Sequence, residues 1–206
     1  MTSTDAAGRA TRKPVDKFED RRRQLADAAL QTLATLGYAR TSLRDIAQNS
    51  EFSHGVLHYY FRDKVELITY CVQRFKTQCV ERYDAIATHA TEADALARDA
   101  GDGLAATLEG DAELHRMWYD LRSQSMFEES FRLDVADIDA SLERMIWRIV
   151  ATYARLVGRE PATTSATAYA AFDGIFQQAL IRHLSGDAEA LDDLRAGTRV
   201  LLERLV

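Results

Sequence analysis

Leu25, Ala28, Ala29, Leu33 and Leu36 recur at intervals of three and four residues, and Gly37 follows at once. That spacing places all five on one side of a helix, and glycine is the residue that most readily closes a helix in the left-handed conformation. The same interval governs the rest of the chain. Val65, Leu67, Ile68, Cys71, Val72, Phe75, Cys79 and Tyr83 predict a long helix from Lys64 to Ile86. Weak breaks follow near Thr91 and Gly101–Gly103. Leu114, Met117, Trp118, Leu121 and Met126 mark a helix from about Asp111 to Phe127. Val135, Ile138, Leu142, Met145, Ile146, Ile149 and Tyr153 mark another from about Glu129 to Val157, ended by Gly158 and Pro161. Two more, from about Ala162 to Leu184 and Ala188 to Leu205, are separated by Ser185-Gly186-Asp187. No stretch alternates apolar with polar as a half-buried strand would, and only two prolines interrupt the pattern. The expected fold is all-α.

The front of the chain is divided more finely. After Gly37, Thr41 or Ser42 can cap a short helix with Leu43, Ile46 and Ala47 inward. Asn49, Ser50 and Glu51 break it, and Ser53 can cap a third helix through about Tyr60. Asp63 can cap the long fourth one. Two short helices joined by a tight turn are the pattern of a helix-turn-helix unit. Charge divides the chain at the same place. Residues 1–64 carry 11 Lys/Arg against 8 Asp/Glu, while residues 65–206 carry 15 against 24. A basic front suits phosphate contact, and an acidic rear does not. The expected division is therefore a flexible basic arm over 1–17 (Arg9, Arg12, Lys13, Lys17), a helix-turn-helix domain over 18–64 and a larger helical domain over 65–206.

A helix that reads a major groove must be polar on its outward face and held from behind. In SHGVLHYYF, Leu57 and Phe61 lie four apart and face inward, with Val56 at the edge. His54, Gly55, His58 and Tyr59 face outward. Gly55 lets the backbone approach closely, and Tyr and His offer hydrogen bonds to phosphates and base edges. Thr41, Ser42, Arg44, Ser53, Val56, Tyr60 and Lys64 complete the candidate set for DNA contact; Lys64 stands at a helix N-terminus, where backbone N–H groups also favour phosphate. His54 and His58 could alternatively hold a metal ion, but no third ligand lies nearby in sequence, and no metal or cofactor is expected.

The span RRQLADAALQTLATLGYARTSLRDIAQNSEFSHGVLHYYFRDKVEL, Arg22 to Leu67, resembles the DNA-binding domain of the tetracycline-repressor (TetR) family. The likeness rests on Leu25-Ala26 to Ala29, Gly37-Tyr38, Thr41 to Ala47 with its Asp-Ile-Ala, and Ser53 to Lys64. Two positions depart from the pattern: Glu51-Phe52 stands where Gly-Val is usual, and His58 replaces the first tyrosine of the usual pair. MWYDLRSQSMFEESFR and AFDGIFQQALIRHLSGD resemble the ligand-binding half of the subgroup that includes the betaine-pathway regulators, with Asp173-Gly174 carrying the likeness. The resemblance implies a homodimer through the last two helices. The apolar faces for it would be Ala168, Ala171, Ile175, Ala179, Leu191, Leu194, Leu201, Leu202 and Leu205, which in a monomer would pack inward.

Trp118, Arg122, Met126, Phe127, Trp147, Phe172, Asp173, Phe176 and Gln177 are candidates for a small-molecule pocket between helices. In that reading Arg122 meets an anionic group, and Asp173 or Gln177 sets orientation. The plainer reading of most of them is core. Cys71 and Cys79 have no CxxC partner and read as small buried side chains. No run of about eighteen uncharged apolar residues occurs, so no membrane helix is expected, and the first residues lack the apolar middle of a signal peptide. A cytoplasmic location is expected.

The function expected from these features is a ligand-responsive, DNA-binding transcriptional regulator. It would be a repressor released from a near-palindromic double-stranded DNA operator by a small-molecule effector. An activator and a ligand-independent DNA-binding protein remain open. An enzyme carrying a DNA anchor is disfavoured, because no nucleophile–base pair and no Gly-rich phosphate loop is present.

Overall fold

The computed structural model describes residues 14–37 and 41–206. Most of the expected basic arm, including Arg9, Arg12 and Lys13, and also Tyr38, lie outside the described residues. Over those residues the chain forms eight α-helices and no strand. In order they are α1 (Pro14–Leu36), α2 (Leu43–Gln48), α3 (His54–Tyr60), α4 (Lys64–His89), α5 (Ala93–Gln124), α6 (Arg132–Val157), α7 (Ser165–Leu184) and α8 (Ala190–Leu205), with a short 3-10 turn at Glu129–Phe131 before α6.

The ends of the first elements follow from local chemistry. Pro14 opens α1, where its fixed φ suits a helix and its missing N–H costs nothing. The helix thus begins six residues before the expected Asp20 and takes in the last residues of the expected arm. Gly37 closes it at φ +77°, its N–H bonding to the Leu33 carbonyl at 2.8 Å. α1, α2 and α3 pack through Leu25, Ala29, Leu33, Leu43, Ile46, Leu57 and Phe61, all buried. The long α4 then runs beneath them, and its Leu67, Ile68 and Cys71 belong to the same apolar core, which continues into α5–α8. The expected boundary at residue 64 falls on the first residue of α4.

The Gly101–Gly103 break is not there. α5 runs through it and kinks only at Asp111 (φ −126°, ψ 23°). The two glycines serve packing instead. A Cβ on Gly101 would lie 3.2 Å from the Arg195 carbonyl oxygen of α8, and one on Gly103 would lie 3.2 Å from Tyr83 and Ile86 of α4. Helix α5 ends at Gln124, so Met126 and Phe127 fall beyond it. Cys71 and Cys79 are free thiols, both buried.

Of the residues named for the dimer face, Ala168, Ala179, Leu194 and Leu202 are buried within the single chain, and Ile175, Leu191, Leu201 and Leu205 pack partly buried against its core. Helix α8 lies against α5 and α7, so part of that face is used within the single chain. The large apolar side chains left exposed on α7 and α8 are Ile181, Leu184 and Val200.

Candidate functional site

The surface region is built on α2 and α3. Ser42 and Asp45 form a capping box: the Asp45 N–H donates to Ser42 Oγ at 3.2 Å, and the Ser42 N–H donates to the Asp45 carboxylate at 2.8 Å. The Ser42 hydroxyl and backbone bonds hold the Asp45 carboxyl below its ordinary range. In the turn that follows, Phe52 is buried and the Arg21 guanidinium sits 4.5 Å above its ring. A bulky residue thus stands where the family pattern has valine, with a cation from α1 covering it. No non-glycine residue among those described has a positive φ.

Ser53 caps α3, accepting from the Val56 N–H at 3.3 Å. Leu57 and Phe61 are fully buried, and the Phe61 ring lies between Tyr70, at 5.6 Å, and the Arg22 guanidinium, at 4.8 Å. Arg22 also donates to Glu66 at 2.8 Å, and Glu66 accepts from the Arg62 N–H at 2.9 Å. That junction ties α1 and the end of α3 to the first turn of α4. The opposite face of α3 is open. His54, Gly55 and His58 are exposed, Tyr59 is 73 % exposed, and a Cβ on Gly55 would meet nothing within 4 Å. The His54 and His58 rings stand edge to face, 4.4 Å apart. Tyr60 leans back on Phe18 at 4.8 Å. Ser42, Arg44 and Ser53 are exposed alongside, and Val56 is half-buried. Lys64 is half-buried; burial lowers its pKa, against the opposing charges of Glu128 and Asp120. Thr41 departs from expectation. It is buried, its hydroxyl donating to the Gly37 carbonyl at 2.7 Å, so it serves the α1–α2 connection.

The second region is internal. A cavity of about 60 Å³ lies between α4, α5, α6 and α7. Trp118, Phe172 and Phe176 line it with Leu142, Met145 and Ile146, and its polar groups are Lys76, Thr107, His115, Tyr83, Tyr119, Tyr169 and Asp173. At one side Arg122 bridges two carboxylates, Asp139 at 3.1 Å and Asp173 at 2.5 Å. Tyr119 donates to Asp173 and Tyr169 to Asp139. Burial works against the Arg122 charge, yet the Asp173 bond and the charges around it leave its pKa raised. Burial and Asp173 together push the Tyr119 hydroxyl up.

On the α4–α5 side, the Lys76 ammonium, on a side chain almost wholly buried, lies 3.1 Å from His115 Nδ1. It also lies 5.2 Å from the Phe75 ring and 5.3 Å from that of Trp118. Burial pulls its pKa from 10.5 down to about 8, although Cys79, Asp173 and Asp139 favour the charge. Burial and then the Lys76 charge hold His115 well below its ordinary value. An ammonium can only donate, so Nδ1 accepts and the neutral ring carries its proton on Nε2. That nitrogen is buried and has no protein partner. The next residue, Arg116, donates to the Ala34 carbonyl at 2.5 Å, closing the C-terminal end of α1. One turn of α5 therefore touches the cavity and the end of α1 together.

Residues 25–71 match the family described as bacterial regulatory proteins, tetR family. The chain is 29 % identical over 187 residues to the HTH-type transcriptional regulator BetI of Cronobacter sakazakii, covering 86 % of this chain and 87 % of that one. The family match covers the helix-turn-helix region and the entry to α4, and the relative extends the likeness over most of the chain. Two solved structures share the fold of this chain. One is a TetR transcription regulator from Haloarcula marismortui, with TM-score 0.74, 19 % identity and coverage of 91 % of this chain and 98 % of that one. The other is a transcriptional regulator from Saccharomonospora viridis in complex with choline, with TM-score 0.72, 17 % identity and coverage of 90 % and 96 %.

The cavity brings together four of the nine residues expected to form a pocket: Trp118, Phe172, Asp173 and Phe176. Arg122 reaches it only through Asp173 and is already paired with two carboxylates, so it is not an open anchor for an anion. Met126 and Phe127 are 69 % and 81 % exposed. Trp147 follows Ile146 by about 100° around α6 and turns off the cavity wall; Gln177 follows Phe176 the same way and is exposed in the groove between α7 and α8. Lys76 and His115 were missed. Their signal was present: each occupies an apolar-stripe position, Lys76 between Val72 and Cys79 and His115 between Ala112 and Trp118. A charged residue inside such a stripe marks a site rather than a face.

Proposed function

We propose that this DNA-binding regulator is a repressor released from its operator by a small molecule that enters the α4–α7 cavity. The observation that carries the reading is the placing of that cavity: α4 and α5 wall it, and the same helices hold α1–α3 through the Arg22–Glu66 and Arg116–Ala34 contacts. A ligand that parts these helices displaces the reading unit. For release it must prefer the DNA-incompetent form, and a coupling of about 1–3 kcal/mol weakens binding roughly 5–150-fold. The choline held by the Saccharomonospora viridis protein is the precedent for a small molecule bound in this fold. A cation is disfavoured here, because the Lys76 ammonium already lies against Trp118.

In the DNA complex His54, His58 and Tyr59 reach into the groove across Gly55 and Val56. Ser42, Arg44, Ser53, Tyr60 and Lys64 contact the backbone. Two chains pair through α7 and α8, with Ile181, Leu184 and Val200 in the interface, so that two reading helices sit about 34–36 Å apart in successive grooves.

Selection from random-library DNA tests the reading. An enriched inverted repeat is expected, and recovery of no motif counts against it. On that operator, Tyr59→Ala is expected to weaken binding by about 1–3 kcal/mol, the worth of one good base contact. Its thermal midpoint should match that of the unaltered chain, since the ring is largely exposed. Unchanged operator affinity would remove Tyr59 from the interface.

A further inference from the structure

We propose that the effector carries a carboxylate, held by Lys76 and His115 inside the cavity. The inference rests on the effector reading above and adds the chemistry of the ligand. It follows from which polar groups in the cavity are already committed. Tyr83 donates to Thr107 at 2.9 Å, Tyr119 to Asp173 at 2.9 Å and Tyr169 to Asp139. Asp173 accepts from both Tyr119 and Arg122. The donors that the cavity leaves uncommitted are those of Lys76 and His115. Lys76 has three N–H groups and one hydrogen-bond partner, His115, and the nearby carboxylates Asp173 and Asp139 are bonded elsewhere. His115 Nε2 is a buried donor without a protein partner.

A buried positive charge beside a second free donor is complemented by an anion with two acceptor oxygens. One carboxylate oxygen bonds the Lys76 ammonium and the other the His115 Nε2–H. A neutral carbonyl leaves the charge uncompensated. A quaternary ammonium meets like charge and has no free aromatic face at Trp118, where Lys76 already sits. The remaining walls, Trp118, Phe172, Phe176 and Met145, require an apolar body on the acid. As it stands the cavity holds only a few atoms, so the body is seated as the helices part. Lys76 also lines the open groove of about 510 Å³ between α4 and α6, which gives the ligand a way in.

The test uses the full chain and its tryptophan fluorescence, to which Trp118 in the cavity and Trp147 contribute, with a panel of apolar monocarboxylates (hexanoate, octanoate, phenylacetate), their primary amides and hexyltrimethylammonium. Carboxylates are expected to bind about tenfold or more tightly than the matching amides, because charge-assisted hydrogen bonds are the stronger ones. Lys76→Met should erase that preference, and His115→Phe should reduce it. If Lys76→Met fails to fold, the acid–amide comparison on the unaltered chain decides alone. Equal binding of acids and amides, tighter binding of the ammonium compound, or no binding of any acid at millimolar concentration overturns the proposal. Operator affinity is read separately. Acid binding through Lys76 with operator affinity unchanged supports the carboxylate site and removes the effector reading. Operator release by an amide or a cation, with no acid bound, keeps the effector reading and removes the carboxylate.

Discussion

Phe61→Ala is expected to destabilise the chain by about 3–5 kcal/mol, the range for emptying a fully buried aromatic site. Phe61 is the last anchor of the reading helix. Its ring is wholly buried, covered by the Arg22 guanidinium and packed on Tyr70 of α4. Truncation leaves a cavity between α1, α3 and α4 and strips the cation from its ring. The site cannot readily collapse, because the Arg22–Glu66 pair and the Glu66 bond to the Arg62 N–H hold the same junction. In a chain of this size about 1 kcal/mol moves the midpoint by roughly 2–4 °C, so a fall of about 6–20 °C should be read by thermal unfolding. Operator binding should weaken with it, since Phe61 is the anchor at the end of α3 nearest α4. A midpoint within about 1 °C of the unaltered chain would mean that Phe61 is not the anchor. The contrast with Tyr59→Ala is informative. The two aromatics are two residues apart, and one should affect folding and binding while the other affects binding alone.

The second large effect concerns Lys76, and it is a dependence on pH. Its pKa is about 8 in the folded chain against an ordinary 10.5, so the unfolded chain holds the proton more tightly. Below pH 8 both states carry the proton and folding bears the full cost of burying the charge. Between pH 8 and 10.5 that cost declines, and above 10.5 neither state is charged and it is gone. Lys76→Met removes the titration and keeps an unbranched side chain of similar length. Relative to the unaltered chain, the variant should therefore be more stable at pH 7 than at pH 10.5 by on the order of 3 kcal/mol. The orphaned His115 Nδ1 adds a cost to the variant that does not change over that range. The groups facing the ammonium are Cys79 on α4, His115 on α5 and Asp173 on α7, with Arg122 and Asp139 beyond. Urea unfolding of both chains at the two pH values reads the difference. A constant difference would mean that Lys76 keeps an ordinary pKa in the folded chain. The same buried cost is what a bound carboxylate would relieve.

Much of this was legible in the chain itself. Gly37, Ser42, Ser53 and Asp63 end or begin helices through bonds to residues three or four away, and the sequence shows such neighbours directly. The inward turn of Leu57 and Phe61 follows from helical period alone. The all-α class follows from repeating that period along the chain. Only the tertiary structure decided the rest. Lys76 and His115 are 39 residues apart, and Arg122 finds carboxylates 17 and 51 residues away. Gly101 and Gly103 read as breakers until α8 and α4 are seen lying against them. That Ala179, Leu194 and Leu202 are buried within one chain is seen only from the packing of α7 and α8 on each other and of α8 on α5. The physical reason is common to all four cases. Caps and periodicity are set within one turn of helix, whereas the partner of a buried charge, or of a small residue, depends on the angle and register at which distant helices cross.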